Sequence, residues 1–353
     1  MQKIRSLRET ALFFFAVTVV LLTLRSFPIL ADDAVSLDPK ELHFAGADPS
    51  YQAKAPKEHV RPMDQTFLTY PEWFLVFSPA ELADFLKAGS PTDFPFLGHI
   101  IQFWQGYASV SKIIAQRYPF NFGYHVMIMV IGTSTTFEYA VKGLYENSVG
   151  RLTGLFGHAT EEDAFYADYQ ANYVRFIRDK PWYLFDFGAE LKRLYSEVSF
   201  IGGNPIRKIE RRLFLTNELV AKYLYGKLIG VATQSAYETP LEQTAVWLKK
   251  GSGEGELVML PRYEAFMKAA VPLAREGAEF HEVAGNPGPI VVSVVGPKAD
   301  RAKLAEYDLV LTQPIPTQSP LERFVVALPM KDLGPFLSRF GDGKFYVEHV
   351  YDY

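Results

Sequence analysis

The chain has 353 residues, 48% hydrophobic and 22% charged, with a formal net charge of −4, which is too apolar for disorder and long enough for two cores. It contains no cysteine, which excludes disulfides, thiol nucleophiles, thiolate zinc sites, cysteine-ligated iron–sulfur clusters and covalent c-type haem. Without residues 1–31, which carry four basic side chains and one acidic one, the net charge becomes −7, arguing against nucleic acid as a partner.

Lys3, Arg5 and Arg8 precede an uncharged apolar run, Ala11 to Leu24, and Arg25, Pro28 and Ala31 follow it. This is the pattern of a secretion signal or a membrane anchor. The run is about 21 Å of helix against a hydrocarbon core of about 30 Å, which favours a cleaved signal. Ile29, three residues before Ala31, is a poor cleavage residue, and a snorkelling Arg25 would let 11–31 span as one helix. Both readings of residues 1–31 stay open. Either way the basic flank belongs in the cytoplasm and the body on the periplasmic, extracytoplasmic side, so the chain is expected in the cell envelope, held in the inner membrane if uncleaved.

Residues 32–64, rich in Asp, Pro, Ala and Lys, read as a tether. The spacing that follows predicts an all-helical domain over 65–235. Ser78, Pro79 and Glu81 supply a cap, a first-turn proline and a capping-box acid for a helix at 79–88. Further helices are expected at 96–116 and at 123–146, the second beginning apolar all round at Val126–Ile131, as a core helix or a membrane-embedded one would. Thr160 with Glu161, Glu162 and Asp163 caps a helix that ends before Pro181, and helices near 188–199 and 206–232 complete the unit.

Lys249–Gly255 marks a linker over 236–255. Residues 256–353 then show a faint repeat: Leu257–Pro261 (LVMLP), helix, Gly277 and 279–283 against Val325–Pro329 (VVALP), helix, Gly341 and 346–350. With 289–296 as a hairpin partner of 279–284, the order resembles the ferredoxin-like split-βαβ fold, an architectural resemblance that carries no function. The expected class is therefore α+β multidomain: an apolar signal or anchor, an all-α domain and a ferredoxin-like α+β domain.

The seven histidines form no His-x-x-x-His or Glu-x-x-His spacing. If helices 96–116 and 123–146 form an antiparallel hairpin, residues whose numbers sum to about 238 lie level. His99 then meets Glu138 and Tyr139, and Gly106 meets Gly132 as a close crossing. His99, Glu138 and Tyr139 are the candidate polar cluster, although Glu138 and Lys142 also suit a surface pair. Glu72, among Tyr70, Trp73 and Phe74, is a candidate carboxyl with a raised pKa, or part of an aromatic seat for the tether. Arg207, Lys208, Arg211 and Arg212 form a basic side that would meet anionic headgroups, or stand in water with Glu210 and Glu218. There is no phosphate loop, nucleophile elbow or EF-hand loop.

Two functions fit. The first is a non-catalytic envelope protein whose helical domain binds an apolar ligand, a lipid or a protein partner. The second is an envelope enzyme, metal- or haem-dependent, with a His/Glu/Tyr site in the helical core.

Overall fold

The computed structural model describes residues 42–44, 50–155, 159–236, 242–251, 253–341 and 343–351, with the backbone alone for 231–236. Residues 1–31 and, of the expected tether, residues 32–41 and 45–49 lie outside the described residues. All described residues belong to one compact α+β unit.

Helix α1 (Gln65–Phe85) runs through Pro71 and Pro79 rather than starting at Ser78. The expected cap fails because the Ser78 hydroxyl is buried and engaged elsewhere. The antiparallel pair α2 (Phe96–Arg117) and α3 (Phe122–Tyr145) follows close to the expected bounds, with Asn121 capping α3 through Tyr124 N. A π-turn at Glu146–Gly150 leads into short α4 (Arg151–Gly154). The capping box of Thr160 and Asp163 opens α5 (Glu161–Ile177), and α6 (Phe187–Glu197) and α7 (Pro205–Ala236) complete the helical layer.

Among the described residues, seven strands form two antiparallel sheets where one was expected. β1 (Gln243–Lys250), β2 (Glu256–Pro261) and β3 (Ala278–Val283) pair in the order β2-β1-β3. β4 (Ile290–Pro297), β5 (Asp308–Pro314), β6 (Leu321–Leu328) and β7 (Tyr346–Tyr351) pair in the order β5-β6-β4-β7. Two expectations are corrected here. Within the expected 236–255 linker, Gln243–Lys250 is strand β1, at the centre of a sheet with Ala245, Val246 and Leu248 fully buried. And β3 does not form a hairpin with β4: β3 pairs with β1, β4 pairs with β6 and β7, and the isolated Val283–Asn286 bridge closes only the turn that follows β3.

The repeat is present, although its two copies do not share a sheet. In the first copy β2, helix α8 (Glu264–Arg275) and β3 straddle β1; in the second β6, helix α9 (Leu333–Phe340) and β7 straddle β4. Trp247 faces Leu257 and Glu282 with a bulge immediately after it, and Ser293 faces Val325 and His349 with a bulge at the same place. The two split βαβ units thus share a register. They meet through α8 and α9, where a side chain on Gly341 would strike Val271 at 2.7 Å.

Helices and sheets share one core. Phe67, Leu68, Tyr70 and Trp73 of α1 and Val110, Ile113 and Ile114 of α2 cluster with the inner faces of β4, β6 and α9. Thr66 locks α1 to the sheet by donating to Tyr351 O at 2.8 Å and accepting from Val291 N at 2.9 Å. A second core, of Tyr139, Phe165, Tyr166, Tyr169, Leu215 and Leu219 among others, lies within the helices.

Candidate functional site

Ser78, Glu81, His99 and Tyr139 converge between α1, α2 and α3. The α2/α3 hairpin sets His99 level with Tyr139, and Ser78 bridges them: its Oγ lies 2.8 Å from His99 Nδ1 and donates to the Tyr139 hydroxyl at 2.8 Å. On the other edge of the ring, His99 Nε2 and Glu81 Oε2 face each other at 3.5 Å with no other hydrogen-bonding partner. Arg323, reaching from β6, donates to Glu81 Oε1 at 3.1 Å and to both oxygens of Glu348 at 2.6 and 2.8 Å.

Protonation follows from burial. The His99 imidazole is pushed down to about 3 by burial, with Arg323 adding to the effect. Burial raises Glu81 to about 7 against the opposing pull of Arg323. Ser78 donates to Tyr139 and so accepts from His99 Nδ1–H, which leaves Nε2 of the neutral imidazole as an acceptor facing Glu81 Oε2 at 3.5 Å, where a proton on the Glu81 carboxyl would be directed. Arg323 then balances Glu348 alone. The four groups are at most 5% exposed, so the chain of hydrogen bonds is sealed; only Tyr139 borders a surface cleft of about 600 Å³, lined also by Phe96, Gly143 and Arg151.

Other expected groups fall elsewhere. Gly106 and Gly132 do not meet: Gly132 faces Phe103 and Trp104, and Gly106 faces Tyr70 and Gln313. The helices cross with a large ring filling the notch at Gly132. His125 lies toward the opposite end of the hairpin from His99, 2.9 Å from the Tyr107 hydroxyl. Glu72 accepts from Tyr124, and its carboxyl is raised by burial; its neighbour Trp73 packs at a tilt against the His349 ring, with centroids 3.6 Å apart.

Glu138 pairs with Lys142 as expected, but the pair is part of a larger cluster. Glu138, its side chain 35% exposed, and the mostly buried Lys222 join buried Lys142 and Glu218 with N–O distances of 2.8 to 3.3 Å, beside Tyr139, Tyr166, Tyr169 and Tyr173. Burial opposes the ionisation of Glu138, but the two ammonium groups prevail and hold the carboxyl at about 2.

The basic side of α7 is neither a headgroup patch nor a solvated face. Arg207 pairs with Asp163, Lys208 with Glu161 and Glu162, Arg211 with Glu146 and Asp163, and Arg212 with Glu162. All four basic residues are buried. Its opposite face is exposed and apolar: Ile206, Ile209, Leu213, Val220, Leu224 and Leu228. Next to it α3 exposes Val130, Phe137, Val141 and Leu144, and Leu152 and Leu155 continue beyond the π-turn. This stripe, not the basic one, is the feature the sequence reading missed, and its three- and four-residue spacing was the available signal.

Among the described residues there is no group of three or more His, Cys, Asp or Glu able to hold a metal ion, and no helix long and apolar enough to cross a membrane. Comparisons of the chain with protein-family models, curated proteins and solved structures find no match.

Proposed function

We infer that this is a non-catalytic protein of the cell envelope whose helical layer docks, through the outer faces of α3 and α7, onto an apolar surface. The reading of residues 1–31 as a signal or anchor supplies the compartment. One observation carries the docking: α7 turns four cations inward and a line of Ile, Leu and Val outward. Soluble monomers rarely expose contiguous apolar patches beyond a few hundred Å² unless the patch is used. Burying so many charges costs several kcal/mol per ion before pairing, so the inversion makes sense only where the outer face is not meant for water.

The sealed Ser78–His99–Glu81 cluster supports a structural role joining the helices to β6. A reaction there would require substrate to enter a core in which His99 has no exposure. The α+β part, with its two split units, supplies the rigid base on which the helical layer is held.

A photoreactive benzoylphenylalanine placed at position 224, on the outer face, or at position 192, on α6, tests the docking in intact cells. Adducts to lipid or to a protein from 224 and none from 192 are expected. Equal labelling at the two positions would refute the reading.

A further inference from the structure

The apolar outer surface of α3 and α7 is continuous because the two helices are clamped as antiparallel neighbours. Glu138 pairs with Lys222 and Lys142 with Glu218, at 3.0 and 2.9 Å, Arg211 pairs with Glu146 at 2.6 Å, and the Tyr145 and Phe214 rings stack at 3.8 Å. From Ile206 to Leu228 the stripe on α7 is about 33 Å long, and the exposed apolar residues of α3 widen it.

The polar side chains of these helices help to name the occupant. Thr133 donates to Met129 O, Ser134 to Ile131 O, Asn147 to Gly143 O, Ser148 to Leu144 O, Thr216 to Arg212 O and Asn217 to Leu213 O. Each donates to its own helix, three or four residues back. The only charged residues from Tyr118 through Tyr145 are Glu138 and Lys142, and both are in the ion cluster. A protein partner of this size would bring about one hydrogen bond per 100–200 Å² and would favour Tyr, Trp and Arg anchors. This face is mainly aliphatic, with its hydroxyls donating to its own backbone. Hydrocarbon asks for that arrangement, because polar groups in lipid must find internal partners.

The chain path agrees. Leu42 and Phe44 are held by Arg117 at the end of α2, just before exposed Phe120 and Phe122 lead into α3. Between Leu24, the end of the apolar N-terminal run, and Leu42 there are 17 residues, a reach of at most about 60 Å. A segment inserted in a bilayer would therefore keep the start of α3 within reach of the same bilayer.

We propose that the α3/α7 face is a monotopic membrane seat, lying along one leaflet with its aliphatic side chains at the boundary of headgroups and acyl chains. The seat rests on the docking reading above and names its partner as lipid. Binding is through apolar area, with buried rather than outward-facing arginines, so it does not depend on anionic lipid.

The absence of cysteine makes the test direct. Single variants Leu144→Cys and Leu224→Cys on the face, with Lys192→Cys on α6 and Lys268→Cys on α8 as controls, are labelled with a polarity-sensitive fluorophore. The full chain is reconstituted in phosphatidylcholine vesicles with and without nitroxide-bearing lipid. Quenching at 144 and 224 at least about twofold above both controls is expected, unchanged when phosphatidylglycerol is added. Quenching at the controls' level would overturn the lipid seat. If labels at 144 and 224 are then shielded from a water-soluble quencher, and the shielding grows with the protein-to-lipid ratio, the occupant is a second copy and only the seat fails. If they stay open to that quencher throughout, the docking reading fails too. Val141→Cys and Leu213→Cys replace either variant that does not fold.

Discussion

Lys142→Met perturbs the ion cluster that lets α3 and α7 turn their apolar faces outward. The Lys142 side chain is 3% exposed and lies 2.8 Å from Glu138 and 2.9 Å from Glu218. Its loss leaves two carboxylates sharing the Lys222 ammonium, at 3.0 and 3.3 Å, inside a wall of tyrosines. Removing one partner from a buried ionic group costs about 3–5 kcal/mol, a large share of a typical domain's stability of about 5–15 kcal/mol. The cost should depend on pH. In the parent chain the Glu138 carboxyl, held at about 2, contributes stability that is present above its ordinary value and lost as pH falls toward 2. In the variant a proton can replace the missing cation, so the deficit against the parent shrinks as the solution is acidified from pH 7.5 to 5. Urea unfolding of the full chain in one non-ionic detergent, followed by circular dichroism at both pH values, measures this. Lys142→Met/Glu218→Gln should recover more than half of the loss, whereas Leu213→Gln, on the exposed face, should cost no more than about 0.5 kcal/mol. A Lys142→Met cost below about 1 kcal/mol, or one equal at the two pH values, would refute the argument.

Gly132→Leu is expected to destabilise by about 1–3 kcal/mol or more, since even a Cβ would sit 2.3 Å from Phe103 Cε1; unchanged denaturation midpoints would disprove the tight crossing. Glu81→Gln removes a titration whose folded pKa is raised to about 7. Glu81 therefore stabilises the fold fully below its ordinary value and loses that contribution as pH rises to about 7. The stability of Glu81→Gln relative to the parent should climb across that window by up to about 1.4 kcal/mol per pH unit and then level off; a flat difference would show that folding does not raise the Glu81 carboxyl. Glu282 accepts from Tyr51 Oη and from the amides of Lys54 and Ala55. Glu282→Ala should free this strap, read as faster tryptic cleavage after Lys54 and Lys57, and an unchanged digestion rate would count against the role.

Local signals were enough for most elements. The Thr160–Asp163 box acts within one turn of backbone, so the residues themselves determine it, whereas Pro261 and Pro329 of the two Leu-Pro pairs respectively end a strand and precede a 3-10 turn rather than opening α8 and α9. The level of His99 with Tyr139 was also legible, because a helical rise of 1.5 Å and a short turn leave a hairpin little choice of register. Ser78 and Glu81 read locally as a cap and its acid; only the packing of α1 against α2 turned them into partners of His99. β1 was hidden because strand pairing joins residues distant in sequence, and a Lys/Gly-rich end outweighed five preceding residues of strand character. The two-sheet arrangement was likewise undetermined, since each split unit closes its own ladder whichever neighbour it packs on. The orientation of α7 was the largest decision left to the tertiary structure. A helix with a cationic stripe and an aliphatic stripe carries the same periodicity whichever side faces the core. What turned the cations inward was the height at which α3, the π-turn and α5 present Glu218's partner Lys142, Glu146, Glu162 and Asp163, a coincidence of positions that exists only once the helices are packed.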